Sequence, residues 1–360
     1  MQTSSSWSQS APGTNRSTSA TIQPSILRHL VLVCDARGCD LRPALGSVDL
    51  SPALLRSARL RVSYRQGSAV VREALRLTGD SGLGLAVGAA QHLTAWGLLG
   101  FALLASDTLQ DAVELGVRYQ NLSGAMVVWS AASGDEGFAL RADLPDPGLD
   151  PAVGVFLVDE ALSSVLTVAR LAVGATCRPR LVELAFPRPR HAARYADLFG
   201  CRVRFGAAHN RCVFAPEWAR RAMPARDAWA LATTVELLDQ AMSSRREQQD
   251  LLEVLEISIA QSLPDVPSFA EQARRHATSE RTLRRRLAEC GTTYEVIVDG
   301  VRRERAEQLL GRSLLTLREV ARRVGFADER TLRRAVNRWH GMTPLELRRT
   351  RGVRRADEEA

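Results

Sequence analysis

The stretch that decides the fold is Glu280-Arg281-Thr282-Leu283-Arg284-Arg285, because the same six letters, ERTLRR, return at Glu329-Arg330-Thr331-Leu332-Arg333-Arg334. The flanks return with them. Glu271-Gln272-Ala273-Arg274-Arg275 precedes the first copy and Glu319-Val320-Ala321-Arg322-Arg323 the second, while Gly291-Thr292-Thr293 and Gly341-Met342-Thr343 follow. Three matched segments in one order describe a duplicated supersecondary unit rather than a chance string. Each copy reads as a short helix, a tight turn and a second helix studded with arginine. That is the outline of a helix-turn-helix, whose second helix enters a DNA major groove.

Within each copy the roles follow from helical spacing. Ser279 is expected to cap the first arginine helix and Asp328 the second, each side chain accepting from a first-turn N–H. Leu283 and Leu287, and Leu332 and Val336, are four apart and face a core. Arg281, Arg284 and Arg285 then share a face beside those leucines, and Arg330, Arg333 and Arg334 point out. Arginine reads guanine through two hydrogen bonds and holds phosphate equally well. The expected DNA-contacting set is therefore Arg281, Thr282, Arg284 and Arg285 in one copy and Arg330, Thr331, Arg333 and Arg334 in the other. Between the copies, Tyr294 to Leu310 has helical spacing. A rigid helix there would fix the two readers about 34 Å apart, one turn of DNA.

Charge agrees. The 360-residue chain carries +8 and no lysine. Positions 266–355 hold 22 Arg against 11 Asp or Glu, a net of +11, which leaves −3 for the remainder. A basic C-terminal third on a mildly acidic body is the footprint of a nucleic-acid binder. The six cysteines, at 34, 39, 177, 201, 212 and 290, are scattered. Cys34 and Cys39 have no second pair at metal spacing, so buried thiols in a reducing compartment are expected and a metal site is not. The Ser/Thr-rich first twenty residues lack a basic start and apolar stretch, so no signal peptide is read there. The longest apolar run, Trp96 to Ala105, is too short to cross a bilayer. A cytoplasmic protein without membrane contact is the expectation.

Patterning divides the chain into a tail at 1–22, a sensor or dimerisation domain at 23–225, a linker helix at 226–247, the double helix-turn-helix at 248–350 and a tail at 351–360. The fold class is an α+β N-terminal domain joined to an all-α C-terminal domain. In the former, a helix through Val70, Val71, Ala74 and Leu75 should break at Thr78-Gly79-Asp80. Trp96 to Leu104 reads as a fully buried helix, and Ser106-Asp107-Thr108 caps the next. Met126–Ala131 and Gly137–Ala142 form a strand pair, Val153–Leu171 a long apolar helix, and Leu181–Phe186, Cys201–Phe205 and Cys212–Phe214 short strands. Leu231, Val235, Leu238 and Met242 stripe the linker helix. Their spacing suits either a coiled-coil seam or packing on the helix's own domain. A separate amphipathic helix follows at Leu251–Leu263.

From about residue 250 to 350 the chain resembles the AraC/XylS family of bacterial transcription regulators. Gly325-Phe326, Arg334, Trp339, Gly341, Thr343-Pro344 and Arg348 match that family's signature in order, and the helix with Arg302 and Ala306 fits it as well. Leu332 and Val336 stand where the family commonly has aromatics. The N-terminal part is similar to the "arabinose-binding" type of sensor domain. This likeness rests on Leu77-Thr78-Gly79-Asp80, Gly97-Leu98-Leu99-Gly100, Asp107-Thr108-Leu109, Phe156 to Glu160 and Tyr195 to Phe205. The resemblance implies a transcription regulator that binds double-stranded DNA, contacts RNA polymerase and most often activates. It implies a sensor of a small-molecule effector, a homodimer, or both, without implying arabinose.

Two other readings are weaker. An enzyme would need a site. Gly82, Gly84 and Gly88 form a loose G-x-G pattern that no strand precedes. Asp159 and Glu160 are adjacent and diverge on a helix. The histidines at 29, 92, 191, 209, 276 and 340 suggest no triad, so no catalytic residue or cofactor is expected. A nonspecific nucleoid-type binder would need only charge, without capped and duplicated helices.

Overall fold

The computed structural model describes residues 20–349 apart from 59, 135–136 and 313–314. The tail expected at 351–360 and most of the one expected at 1–22 lie outside the described residues. Ile22 does not belong to a tail. Its N–H and C=O both pair with Val62, at 3.0 and 2.8 Å. The chain forms two compact units, Met1–Ser243 and Ser244–Ala360.

The first unit opens with helices α1 (Ser25–Asp35), α2 (Arg42–Gly46), α3 (Pro52–Leu55), α4 (Tyr64–Thr78) and α5 (Leu83–Ala89). Helix α4 ends where glycine allows a left-handed turn, at Gly79. Then come α6 (Leu98–Ala105), α7 (Leu109–Arg118), strands β1 (Val128–Gly134) and β2 (Gly137–Asp143), and the 23-residue helix α8 (Pro151–Val173). Strand β3 (Leu181–Leu184), helix α9 (Ala193–Phe199), strands β4 (Arg202–Phe205) and β5 (Arg211–Phe214) and helix α10 (Pro216–Ala219) complete this stretch. The sheet order is β1-β2-β5-β3-β4. All pairs are antiparallel except β3–β4. That parallel pair requires a crossover, which α9 supplies.

Helix α8 is mostly apolar because most of it is buried, Asp159, Glu160, Ser163 and Ser164 included. It is long and apolar enough to cross a membrane, yet 78% of its most apolar window is buried inside the unit. Pro151 starts it, and the Asp150 carboxylate accepts from Ala152 N at 2.9 Å. Helix α5 lies directly against it, which explains the glycines at 84 and 88. A Cβ on Gly84 would sit 2.4 Å from the Phe156 carbonyl oxygen, and one on Gly88 would sit 2.3 Å from that of Glu160. These glycines let two backbones touch and cradle no phosphate.

The reading of Trp96–Leu104 as one buried helix needs correction. A 3-10 turn covers Leu93–Trp96, Gly97 breaks the chain at a φ of 55°, and α6 then leaves Leu98 and Phe101 exposed. An all-apolar stretch has no polar face to report which side is open. Thr108 caps α7 through a reciprocal pair with Asp111.

The linker helix and the helix expected at Leu251–Leu263 are one continuous element, α11 (Ala228–Ser262). Glu247 to Asp250 between them contain neither glycine nor proline, so nothing ends the helix. Leu238 is buried, and Leu231 and Met242 pack on the core of the first unit. The stripe is thus used within its own unit and is no free coiled-coil seam.

The second unit is all helical: the rest of α11, then α12 (Phe269–Arg275), α13 (Glu280–Glu289), α14 (Tyr294–Arg312), α15 (Leu317–Val324) and α16 (Glu329–His340). It holds two small cores. Leu255, Ile259, Leu283 and Leu287 build one with Tyr294, Ile297, Val298 and Val301. Val320, Val324, Leu332 and Val336 build the other with Ala306, Leu309 and Leu310. Helix α14 therefore gives its first half to one core and its second half to the other.

Candidate nucleic-acid interface

Each copy begins with a capped positioning helix. Ser268 and Glu271 cap α12 reciprocally, as Thr316 and Glu319 cap α15. The turn that follows needs one left-handed residue. Ala277 supplies it in the first copy, at a φ of 48°, and Gly325 in the second, at 83°. The arginine helices α13 and α16 then start at side-chain caps. Thr282 N donates to Ser279 Oγ at 3.1 Å, and Thr331 N donates to Asp328 Oδ1 at 2.7 Å. The Asp328 carboxyl is held below the usual range, first by this backbone hydrogen bond and then by the Thr331 hydroxyl and the nearby arginines.

Leu283, Leu287, Leu332 and Val336 are buried, and so Arg281, Arg284, Arg285, Arg330, Arg333 and Arg334 are all exposed. The two threonines are half-buried at the helix starts. The arginines are not equivalent. Arg285 pairs with Glu289 at 3.4 Å, and Arg333 pairs with Glu329 at 2.5 Å. Arg284 lies over the Phe269 ring, 5.2 Å from its centre. Among the described contacts, Arg281, Arg330 and Arg334 have no ion pair and present the least committed charge.

The residues that carried the family resemblance work behind this face. Arg302 of α14 donates to the Gly325 carbonyl at 3.0 Å and lies over the Phe326 ring. Trp339 Nε1 and Arg338 both reach the Asp299 carboxylate, at 2.8 and 2.6 Å. Gly341 ends α16 in the left-handed region, and Arg348 donates to the Leu315 carbonyl at 2.7 Å. Asp299 and the capping glutamates were missed by reading the sequence. The caps had a signal, a Ser or Thr three residues before Glu; Asp299 had none.

One histidine expected to stand apart does not. His191 Nδ1 lies 2.9 Å from Ser81 Oγ, and Nε2 lies 3.0 Å from both Asp159 Oδ2 and Tyr195 OH. Tyr195 OH donates to Asp159 Oδ1 at 2.5 Å. Sequence could not show this cluster, in which Ser81 and His191 are 110 residues apart. A ring proton on Nε2 would satisfy every member. Burial raises the Asp159 carboxyl, against its hydrogen bonds from His191 and Tyr195. The group ties the turn before α5 to α8 and α9 in a region far in sequence from the arginine helices.

Comparison with known proteins accounts for both units. Residues 38–223 match the arabinose-binding domain of AraC transcription regulators, and residues 272–350 match a helix-turn-helix domain. The chain belongs to the AraC family. It is similar to the ornithine utilization regulator of Pseudomonas aeruginosa, at 31% identity over 86% of this chain and 91% of that one. It is also similar to the transcriptional regulator VqsM of that organism, at 24% identity over 74% and 83%. The crystal structure of the transcriptional regulator CdpR from Pseudomonas aeruginosa aligns over 90% of this chain and 98% of that chain, with a TM-score of 0.48 at 25% identity. Like its AraC-family relatives, the protein is a DNA-binding transcription regulator and not an enzyme.

Proposed function

We propose that this regulator reads an asymmetric DNA site with α13 and α16 in successive major grooves, and that an effector held by the N-terminal unit adjusts that reading. The carrying observation is α14, whose two halves belong to the two helix-turn-helix cores. A helix rises about 1.5 Å per residue, so such a brace fixes the offset between readers as a flexible linker would not. Arg281, Arg284, Arg285, Arg330, Arg333 and Arg334, with Thr282 and Thr331, form the DNA face. The arginines make base or phosphate contacts, and Ser279 and Asp328 hold the helices in register. Activation through RNA polymerase in the cytoplasm is part of this reading, supported by family membership. So is a homodimer through the N-terminal unit, where Phe101 and Trp229 are exposed.

Footprinting on a site selected from random DNA tests the reading. Two protected patches about one helical turn apart on one face are expected. Affinity should fall steeply between about 50 and 200 mM salt as phosphates are neutralised. A single patch, or none, would overturn it.

A further inference from the structure

The first unit holds a partly open cavity of about 100 Å³, of the order of the ~150 Å³ at which an engineered cavity admits benzene. Leu99, Leu103, Trp129, Phe138, Leu140 and Phe214 are among the residues of its wall. Its polar groups are nearly all committed elsewhere. Ser25 Oγ donates to the Ser123 carbonyl, Ser123 Oγ to the Gln120 carbonyl and Ser164 Oγ to the Ala161 carbonyl. The exception is one chain of three side chains. Trp96 Nε1 donates to Gln91 Oε1 at 3.0 Å, which orients the amide so that Gln91 Nε2 donates to Glu160 Oε1. Glu160 is 4% exposed, and its second oxygen has no protein partner among the described contacts. Among the described residues of the wall it is the only titratable side chain; its neighbour Asp159 turns away to His191.

We propose that this cavity is the effector site, and that it takes a neutral, ring-sized apolar molecule carrying one hydroxyl or carbonyl oxygen, which accepts a hydrogen bond from the Glu160 carboxyl. The proposal rests on the effector-responsive reading above and names the class of effector. The wall decides it. A pentose would bury several hydroxyls against carbon, each without a partner. An anion would meet no cation. A buried carboxyl with no cation beside it keeps its proton and is then a donor in search of an acceptor. Burial pushes the Glu160 carboxyl up to about 8, so the donor form holds at neutral pH.

The test uses the full chain and titration calorimetry with cyclohexanol, cyclohexanone, cyclohexylamine, L-ornithine and L-arabinose. The alcohol and the ketone should bind once per chain, at least about tenfold more tightly than the other three. Their affinity should be level below pH about 8 and fall about tenfold per pH unit well above it, as the donor proton is lost. Glu160→Gln keeps a neutral donor and should hold affinity within about threefold while flattening the pH profile. Gly116→Leu projects a side chain into the cavity from α7, where a Cβ would meet only Leu103 at 3.7 Å. It should abolish binding in a chain that stays folded by circular dichroism. Tighter binding of the amine, ornithine or arabinose would overturn the proposal, as would Gly116→Leu without effect or no ring compound binding at all. DNA affinity measured on the same preparation separates the two ideas, since loss of site-specific DNA binding sinks the regulator reading and leaves the cavity result standing.

Discussion

The two helix-turn-helix copies share six consecutive residues, a capped positioning helix and a pair of buried side chains, and differ in the arginine helix's own cap, the turn and the far end. Helix α13 has 10 residues, a neutral serine cap and a turn that forces alanine into the left-handed region. Helix α16 has 12 residues, a charged aspartate cap and a glycine at its turn, and its far end is pinned by Trp339 and Arg338 to Asp299 of α14. The hexapeptide sets which face is charged. The firmness of that face is set by residues outside the repeat. We read the second copy as the firmer reader and the first as the more adjustable one.

The largest effects should come from the cores. Leu283→Ala and Leu332→Ala each empty a fully buried position and should cost about 2–5 kcal/mol. Because α14 belongs to both cores, each substitution should loosen amides on both halves of α14 in hydrogen exchange. Loosening confined to the mutated copy would mean that α14 does not couple them.

The turns come next, with opposite signs. Gly325→Ala puts a Cβ into the left-handed region and 2.5 Å from the Pro264 carbonyl oxygen, so a loss of about 2 kcal/mol or more is expected. Ala277→Gly relieves the same conformation and should stay within about 1 kcal/mol of the parent, on the stabilising side. Thermal unfolding of the two variants measures both. Equal losses would erase the distinction between the turns.

The repeat was legible because a helix-turn-helix is local. Its caps, core positions and charged face all lie within a few residues of one another and follow a period of 3.6. The strands of the first unit were legible for the same reason, at a period of two. What escaped was long-range. Gln91 and Glu160 are 69 residues apart, and Arg338 and Asp299 are 39 apart. The glycines of α5 read as a faint phosphate motif because the sequence does not show that α8 lies against them. The continuity of α11 was missed by taking a polar stretch for an end, although polarity without glycine or proline breaks no helix.

The smallest effect concerns the caps. Asp328 has its pKa lowered in the folded chain, so its contribution is present above its unfolded value of about 4 and is lost as pH falls through the lower folded value. Ser279 does not titrate. The amide signal of Thr331 should therefore move with a midpoint below about pH 4, while that of Thr282 stays level through it. Matching titrations would show that the two caps do not differ as described.

The most direct test of paired reading is to remove one arginine from each copy. Arg281→Ala and Arg330→Ala should each cost about 1–3 kcal/mol on a selected DNA site and much less on scrambled DNA. The base pairs affected should lie about one helical turn apart. Arg305→Ala, an exposed position on α14, should change both affinities slightly and together. If all three variants lose affinity equally on both DNAs, the duplicated helices supply charge alone, and the account of two braced readers is wrong.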